Sequence, residues 1–370
     1  MKQHETLVLN AGSSSLKASM MHGERRVMEW TWDAASQQLW QWREKRPRSV
    51  SDFSEACERI CAMAAGFHPD RIAHRVVHGG ESYWEPTEIT EEVLKKLQDT
   101  TPLAPLHMPI ALRGIRLAKK MFPGVKEWAV FDTGVYHALP AVAREYALPR
   151  ALVKKYHIHR FGFHGTSHLW AASQAAQERD QILKQWSGVT AHLGSGSSIT
   201  AWKLGRPIDT SMGFSPLSGP MMATRSGDLD PMIPLYLEQR ARLSPTKVAQ
   251  LLSKKSGLLG MTGSSDMRDI LASLGHPVHN WKPEHKVPED LAAAAYHTFT
   301  YEVAKSIGQY QSLLTSHDLV FTGSMGQNKH LQRDIVRWLP DAKAWKTMTI
   351  PTDESRAIVE LLDGVLRYPK

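Results

Sequence analysis

Two stretches of the sequence combine small residues with polar side chains in the way that a phosphate-binding turn requires. Residues 7–17, LVLNAGSSSLK, are an apolar run followed by one Gly, three Ser and a Lys, and residues 189–201 read VTAHLGSGSSITA. Small residues let backbone N–H groups approach a ligand, hydroxyls add donors, and a Lys adds positive charge. We interpret each stretch as strand, tight turn and strand. Gly-Ser turns are also common where no ligand binds, and the first stretch does not match the P-loop pattern.

Charged side chains at predicted strand ends are the second group of candidates. Arg75 follows an apolar run and precedes two Gly, and a guanidinium there can hold a carboxylate or phosphate through two hydrogen bonds. A structural ion pair is the alternative. Asp132 ends the apolar run WAVF, at the edge where α/β proteins place their sites, or else it caps the next turn. Arg225, between small residues and two Asp, is a second candidate anion clamp.

Two histidines, His164 and His168, are four residues apart. The Glu of a His-Glu-x-x-His zinc motif is absent, so we do not expect them to form a metal pair. A single His reaching a ligand site, or a buried and hydrogen-bonded His, fits the sequence better.

The surrounding pattern predicts the elements that position these residues. Alternation from Arg25 to Trp42 predicts further antiparallel strands whose four Trp pack, with an aromatic nucleic-acid platform as the alternative. Residues 51–65 predict a helix capped by Ser51 or Asp52, with both cysteines in the core. The remaining predicted helices are 91–98, 110–121, 169–179, 288–314, 356–366 and one that follows Asn328 and ends at Trp338, and the buried strands are 128–134 and 319–322.

The two Gly-Ser stretches lie about half a chain apart. Aligning Gly12 with Gly196 gives a displacement of 196 − 12 = 184 residues. Two similar turns at this spacing suggest a duplicated domain. A chance match of two short, simple sequences is the alternative.

Composition restricts the class of protein. The chain has 370 residues, 42% hydrophobic and 22% charged, which fits two globular domains. The net charge of +8 is scattered, so we expect a basic surface and no nucleic-acid partner. The N-terminal residues do not have a signal-peptide layout, and no apolar run is long enough to cross a membrane. We therefore expect a cytoplasmic protein with no membrane partner.

Taken together in chain order, these motifs give a specific pattern. The chain resembles the acetate kinase family, within the superfamily that also contains sugar kinases and actin. The stretches that carry the resemblance span almost the whole chain: residues 10–17, 74–80, 131–133, 162–168, 192–194, 209–213, 224–231, 255–259 and 265–269.

The resemblance implies an α/β fold built from two duplicated βββαβαβα domains of the actin-like ATPase, ribonuclease H-like type, with the active site in the cleft between them. It implies an N-terminal domain of residues 1–135 closed by the C-terminal helix 356–370, and a nucleotide-binding domain of residues 136–355. A homodimer is also implied.

The activity implied by the resemblance is reversible phosphoryl transfer from ATP to acetate, giving acetyl phosphate and ADP by direct in-line transfer. Mg²⁺ is the implied cofactor, with Mn²⁺ as an alternative. The residues that match the family's metal site are Asn10 and Glu354. Those that match its catalytic residues are Asp132, His164 and Arg225. Those that match its substrate site are Arg75, Val77, Leu106, Phe163 and Pro216.

The resemblance also implies a nucleotide site. The matching residues of the first half are Ser13, Ser15 and Lys17. Those of the second half are His192, Leu193, Gly194, Ser195, Gly196, Asp266, Met267, Arg268, Ser324, Met325, Gly326, Gln327 and Asn328. Ser195 and Gln327 depart from the family pattern, which has Asn and Glu there.

Two alternatives to an acetate kinase remain open. The first is a kinase of the same family that acts on propionate or butyrate. It would discriminate only weakly between these acids and acetate, because one methylene in the substrate pocket is worth about 1–3 kcal/mol. A protein that binds nucleotide without catalysis is the second alternative. The presence of Arg75, Asp132, His164 and Arg225 argues against it.

Overall fold

The structure of the protein is a computed structural model, which describes residues 3–12, 15–105, 107–276, 278 and 281–369. The chain divides into two compact units. The first unit is Met1–Ala138, Phe163–Trp170 and Asp353–Lys370, and the second is Leu139–Gly162 and Ala171–Thr352.

The strands, numbered in chain order over the described residues, are β1 (Glu5–Ala11), β2 (Ser15–His22), β3 (Arg25–Asp33), β4 (Gln38–Gln41), β5 (Arg48–Ser49), β6 (Arg71–Val76), β7 (Thr87–Glu88), β8 (Lys126–Phe131), β9 (Gly188–Leu193), β10 (Ser197–Lys203), β11 (Arg206–Thr210), β12 (Asp318–Thr322) and β13 (Lys346–Thr349). The predicted strands at both Gly-Ser stretches are confirmed. Short 3₁₀ turns join several elements.

The helices are α1 (Phe53–Ala65), α2 (Glu91–Asp99), α3 (Met108–Met121), α4 (Ala141–Arg144), α5 (Arg150–Tyr156), α6 (Gly165–Gln177), α7 (Met232–Arg240), α8 (Pro245–Lys254), α9 (Gly257–Thr262), α10 (Met267–Ser273), α11 (Glu289–Gln311), α12 (Lys329–Arg337) and α13 (Glu354–Leu362). Over the described residues, no helix is both long enough and apolar enough to span a bilayer.

The same five-strand arrangement occurs in both units. The first sheet has the order β5-β4-β3-β2-β1-β6-β8-β7, and the second has the order β11-β10-β9-β12-β13. In each, the first strand of the five (β1 or β9) is central and pairs antiparallel with the strand that follows it, β2 or β10. On its other side it pairs parallel with a later strand, β6 or β12, which in turn pairs parallel with β8 or β13. The repeated topology agrees with the expected duplication, and the first sheet carries three additional short strands at its edges.

The register of the sheets corrects the alignment of the two halves. Parallel pairing ends at Asn10 in β1 and at His192 in β9, so the displacement is 192 − 10 = 182 residues. The counterpart of Gly12 is therefore Gly194, and the alignment with Gly196 was wrong by two residues. The cause is local, because the three consecutive Ser and the Gly-Ser-Gly-Ser run can be superposed in several ways.

Helix α1 illustrates how the first unit builds its core. Asp52 caps it by accepting hydrogen bonds from the backbone N–H groups of Ser54 and Glu55, as the sequence predicts. Cys57 and Cys61 are free and fully buried on the face turned toward the sheet, so their prediction as core residues is confirmed. The same apolar cluster contains residues of β1, β2 and β3.

The four tryptophans of residues 25–42 fall into two pairs. Trp30 and Trp32 are buried on the face that α1 covers, so the packing prediction is confirmed for them. It is wrong for Trp40 and Trp42, which are 42% and 43% exposed. Side chains alternate along a strand, and Leu39 takes the buried face of β4, so Trp40 points to the other side near the edge of the sheet.

The apolar core of the second unit is centred on the long helix α11, which packs against the sheet. Buried residues of α11 pack with β9 and β12, and α10 and α12 extend the same apolar cluster. The predicted helices 288–314 and 356–366 correspond to α11 and α13, each with ends shifted by a few residues.

Candidate active site

Three parallel neighbours in the first sheet end in polar side chains. Asn10 is the last residue of β1 that pairs with β6, and its partner there is Arg75. Asp132 follows directly after β8. Residues paired across parallel strands point to the same face, so all three side chains lie on one face at the carboxyl edge of the sheet. This is the edge at which α/β folds place their ligands.

Arg75 links the other two residues. Its Nε lies 2.8 Å from Oδ1 of Asp132 and its second terminal nitrogen, NH2, lies 2.6 Å from Oδ2, a two-point ion pair. Its other terminal nitrogen, NH1, donates to the Asn10 amide oxygen at 3.0 Å. These bonds use three of the five donor protons of a guanidinium, so two remain for an anion. The ion pair that is the alternative for Arg75 is therefore present, and the anion clamp stays a prediction that the remaining N–H groups permit.

Glu354 joins this group from the other end of the chain. It is the first residue of α13, whose cap Asp353 accepts a hydrogen bond from the Arg356 backbone. The Asn10 amide nitrogen donates to Oε2 of Glu354 at 2.5 Å, and the same oxygen lies 3.7 Å from Arg75. Asn10, Arg75, Asp132 and Glu354 form what we call the charged cluster.

Burial shapes the electrostatics of the charged cluster. Asp132 is only 1% exposed, and burial raises the pKa of its carboxyl group, with Glu354 adding to the rise and Arg75 opposing it. Burial alone would lower the pKa of Arg75, but Asp132 and Glu354 outweigh it and raise that pKa. Arg75 therefore stays a cation at any pH that the protein survives.

The turn before α6 brings His164 to the end of β8. His164 has a φ of 57°, a left-handed conformation that is uncommon outside glycine. The backbone N–H of Gly165 donates to the Asp132 carbonyl at 2.9 Å. A Cβ at Gly165 would lie 2.1 Å from that same oxygen, so only glycine allows this approach.

The residues predicted to form an apolar substrate pocket are divided among the described elements. Val77 and Phe163 are buried in the first unit, and the Phe163 ring meets the His78 ring edge to face at 5.7 Å. Pro216 belongs to the second unit, where its carbonyl accepts a hydrogen bond from Arg225 at 2.9 Å. Leu106 and Ser13 lie outside the described residues. Ser15 and the exposed Lys17 belong to β2.

The second unit contains a cavity of about 480 Å³ beside the β9–β10 hairpin. This volume lies in the range of roughly 300–1,000 Å³ that small-molecule sites occupy. The predicted nucleotide residues that line it are Gly194, Ser195, Asp266, Met267, Arg268, Ser324, Met325, Gln327 and Asn328. Four further predicted residues lie beside them, outside the described lining: His192, Leu193, Gly196 and Gly326.

Local structure explains how separate segments reach this cavity. Asp266 caps α10 by accepting from the Arg268 backbone, and Asn328 caps α12 by accepting from His330 and Leu331. Gly323 has a φ of 81°, and a Cβ there would lie 2.4 Å from the Leu193 carbonyl. Glycine is therefore required where the chain after β12 passes the end of β9.

The cavity has lining residues that sequence reasoning missed: Ala223, Ser265, Leu271, Val278 and Leu331. Leu271 and Leu331 sit on predicted or observed helices, where an apolar residue indicates core packing rather than a ligand wall. Leu271 comes five residues after its helix cap Asp266 and Leu331 comes three residues after its cap Asn328, so no shared spacing marks them in the sequence.

Oxygen ligands in the charged cluster suit a hard cation. Among the described residues no group of three His, Cys, Asp or Glu side chains could hold a metal ion by itself. Mg²⁺ typically takes one or two protein oxygens and completes its shell with water and substrate phosphates. The Asn10 amide oxygen and the Glu354 carboxylate fit that chemistry.

Comparison with known proteins agrees with the resemblance in the sequence. The family model described as the acetokinase family matches residues 5–360. The acetate kinase of Sulfurovum sp. (strain NBC37-1) is 37% identical over 347 residues, covering 90% of this chain and 85% of that protein. The acetate kinase of Thermotoga maritima is 37% identical over 353 residues, covering 89% and 84%.

Solved structures show the same fold. A propionate kinase from Francisella tularensis aligns with a TM-score of 0.87 and 31% identity, covering 97% of this chain and 98% of that one. An acetate kinase from Porphyromonas gingivalis aligns with a TM-score of 0.83 and 29% identity, covering 98% and 100%. The family model and the full-length relatives together confirm the expected fold class, and the chain belongs to the acetokinase family.

Proposed function

We propose that this protein is an acetate kinase, which transfers the terminal phosphoryl group of ATP to acetate and runs reversibly. One observation carries the proposal: a guanidinium held by a buried carboxylate lies at the strand ends, where it also donates to the Asn10 amide oxygen and pairs with Glu354. Membership of the acetokinase family and the cavity lined by predicted nucleotide residues support it.

The reaction needs charge stabilisation more than base catalysis. A carboxylate oxygen of acetate, already anionic at neutral pH, attacks the terminal phosphorus of ATP. The new P–O bond forms as the bond to the ADP oxygen breaks, and no proton has to move. Negative charge spreads over the three equatorial oxygens in the transition state. Arg75, Arg225 and His164 are the groups that we propose neutralise that charge.

Asp132 has a supporting role in this proposal. Its two oxygens are both occupied by Arg75 and its side chain is buried, so it is poorly placed to accept a proton from substrate. We assign it the task of fixing the orientation of the guanidinium. Arg75 then presents its two remaining N–H groups without having to order its side chain during the reaction.

Asn10 and Glu354 are the residues that we propose hold Mg²⁺, or Mn²⁺ in its place. When bound, the ion neutralises phosphate charge and orients the terminal phosphoryl group. Glu354 also has a role that needs no metal. Its carboxylate places negative charge beside Arg75 and accepts a hydrogen bond from the Asn10 amide nitrogen.

The acceptor preference depends on the predicted pocket residues. Val77 and Phe163 are both buried, and in the family resemblance Val77 narrows the acceptor pocket. We propose acetate as the preferred acceptor and propionate as a weaker one, as the match to the family's substrate residues implies. Comparing kcat/KM for acetate, propionate and butyrate decides between them.

The assembly and location of the protein are also proposals. The second unit carries exposed apolar side chains on α5 and α7, including Leu152, Tyr156, Ile233 and Tyr236, which would be covered in a homodimer. Two free, buried cysteines one helical turn apart suit a reducing cytoplasm. Sedimentation of the purified protein tests the dimer.

The experiment that tests the activity is a hydroxamate assay for acyl phosphate with ATP, Mg²⁺ and short carboxylates. We expect acetyl hydroxamate from wild type and at least a hundredfold less from Arg225→Ala, as for loss of other charge-stabilising donors. No acyl phosphate with any donor and carboxylate would overturn the proposal in favour of a nucleotide-binding protein without catalysis. Near-wild-type kcat in Arg225→Ala would remove that residue from the mechanism.

A further inference from the structure

The segment between α10 and α11 adds a wall to the cavity that the family resemblance does not assign. Its sequence is rich in Pro and His, which predicts nothing more than a surface loop. Two of its described residues nevertheless reach the cavity region. Val278 lines the cavity directly, and Trp281 lies against Arg268, which also lines it.

Arg268 is held from two directions. Asp266 accepts from its Nε at 3.0 Å and from its terminal nitrogen NH2 at 2.6 Å, which fixes the guanidinium in its own plane. The Trp281 ring covers one face of the guanidinium, with its centroid 3.4 Å from Cζ. A guanidinium is flat and delocalised, so it can stack on an aromatic ring on one face and on a second ring on the other.

Trp281 is itself fixed by a buried anchor. Its Nε1 donates to Oδ1 of Asp269 at 3.2 Å, and the backbone N–H of Glu284 donates to the same oxygen at 3.1 Å. The other Asp269 oxygen accepts from the Ser264 hydroxyl at 2.8 Å. Asp269 lies on α10 and is fully buried, so these hydrogen bonds fix the segment against α10.

We propose that Trp281 is a positioning residue for the phosphoryl donor, and that it holds Arg268 as a flat wall on which the nucleobase stacks. This inference rests on the proposed function, because it assigns the base-binding end of the same donor site. Apolar lining from Leu271, Val278 and Leu331 adds the surroundings that a base requires. A phosphoryl donor that has no base should gain no binding affinity from the Arg268 guanidinium.

The test compares Trp281→Ala and Trp281→Phe with wild type. We expect the KM for ATP and the inhibition constant for adenosine to rise roughly 2-fold to 5-fold in Trp281→Ala, the range for losing an exposed cation–aromatic contact, because the Arg268 side chain is 47% exposed. Trp281→Phe keeps a ring face and should lie closer to wild type than Trp281→Ala. The KM for acetate and inhibition by inorganic tripolyphosphate, which has no base, should not change.

Trp42 offers a matched control. Its ring also makes a cation–π contact, because Arg43 Cζ lies 4.4 Å from the ring centroid. This pair is exposed and belongs to the first unit. Trp42→Ala should leave every donor constant unchanged. Thermal unfolding of each variant separates loss of folding from loss of positioning.

The outcomes distinguish this inference from the proposed function. If wild type forms no acyl phosphate yet adenosine binding weakens in Trp281→Ala, the activity is wrong and the base wall stands. If wild type is active and adenosine inhibition is the same in Trp281→Ala, the wall is wrong. Equal rises for acetate, tripolyphosphate and adenosine would also overturn it, since they indicate a general structural role.

Discussion

The two hairpins of this protein occupy the same place in the same strand order and yet differ in what surrounds them. The β1–β2 hairpin stands beside Arg75, Asp132 and Glu354, whose charges contact one another. The β9–β10 hairpin stands beside a cavity lined mainly by small, hydroxyl, amide and apolar side chains, with Asp266 and Arg268 as its charged pair. In both units the strand order places the carboxyl ends of the parallel strands at one edge of the sheet. The residue types at those ends determine whether the edge carries a charged cluster or borders a cavity.

The comparison also separates two ways of treating buried charge. In the first unit the Asp132 carboxylate is compensated by a two-point ion pair. In the second unit Glu302 on α11 accepts the Met221 backbone N–H at 2.6 Å, and burial raises the pKa of its carboxyl group despite that bond and the charge of Lys305. Burial raises the pKa of both carboxyl groups, and the two differ in their partners: Asp132 has a two-point ion pair with Arg75, whereas Glu302 has one backbone N–H and the charge of Lys305.

The largest expected effect comes from removing the cation of the charged cluster. We expect Arg75→Ala to lower kcat roughly 100-fold to 1,000-fold in the hydroxamate assay, because a charge-stabilising donor is lost. It should also lower the free energy of unfolding by about 3–5 kcal/mol, since Asp132 remains buried without its partner.

Arg75→Lys is the matched variant, because it keeps the positive charge and loses the two-point geometry. It should recover part of the stability and little of the activity. Retention of kcat within threefold in Arg75→Ala would show that the charged cluster is structural only.

The next effect tests the close approach that ties His164 to the end of β8. Gly165→Ala places a Cβ 2.1 Å from the Asp132 carbonyl oxygen and 2.7 Å from the Val135 side chain. We expect it to lower the free energy of unfolding in urea by about 2–3 kcal/mol and to reduce activity in the folded protein.

Gly66→Ala in the same unit is the control, because its φ is −64° and the nearest atom to an added Cβ is 3.6 Å away. It should be neutral or slightly stabilising. Equal stabilities for the two variants would mean that the turn before α6 adapts and does not position His164.

A smaller effect is expected at the second hairpin. Ser195→Asn and Gln327→Glu restore the side chains usual in the family at two positions in the cavity lining. A new hydrogen bond of about 0.5–1.5 kcal/mol would lower the KM for ATP roughly 2-fold to 10-fold. The KM for acetate should stay constant, and a change in both constants would contradict the division of tasks between the two hairpins.

The smallest effect concerns pH. Folding raises the pKa of Glu302 above its usual 4.5, so the folded state binds this proton more tightly than the unfolded state. The corresponding stabilisation is present below pH 4.5 and is lost as pH rises through the folded pKa. Glu302→Gln removes this titration and keeps an acceptor for Met221.

The measurement is the free energy of unfolding of both proteins between pH 4 and 8. The variant should gain stability relative to wild type as pH increases across that range. A constant difference between the two proteins would show that Glu302 is not perturbed by folding.

Some of these features were accessible from the sequence because they depend on local pattern. Apolar runs followed by Arg75 or Asp132 predict polar side chains at strand ends, and parallel pairing then gathers them. The capping of α1 and the burial of both cysteines follow from helical spacing. The strand β13 was missed because its four residues, KTMT, are half-exposed and carry no apolar run.

Other features depend on contacts that no local pattern contains. Leu271 and Leu331 look like ordinary core residues until the cavity between their helices is seen. Trp40 and Trp30 have equal hydrophobicity, and only the position of α1 decides which is covered. The link between Trp281 and Arg268 joins residues of a helix and a loop whose conformation the sequence leaves open.

The hydrogen bond between Asn10 and Glu354 joins residues 344 positions apart. Because the first unit includes residues 353–370, its sheet is synthesised before most of the second unit and its helix α13 after it. A ribosome therefore exposes β1, β6 and β8 long before α13 is available to pack on them. The charged cluster is complete only after the intervening second unit has been made.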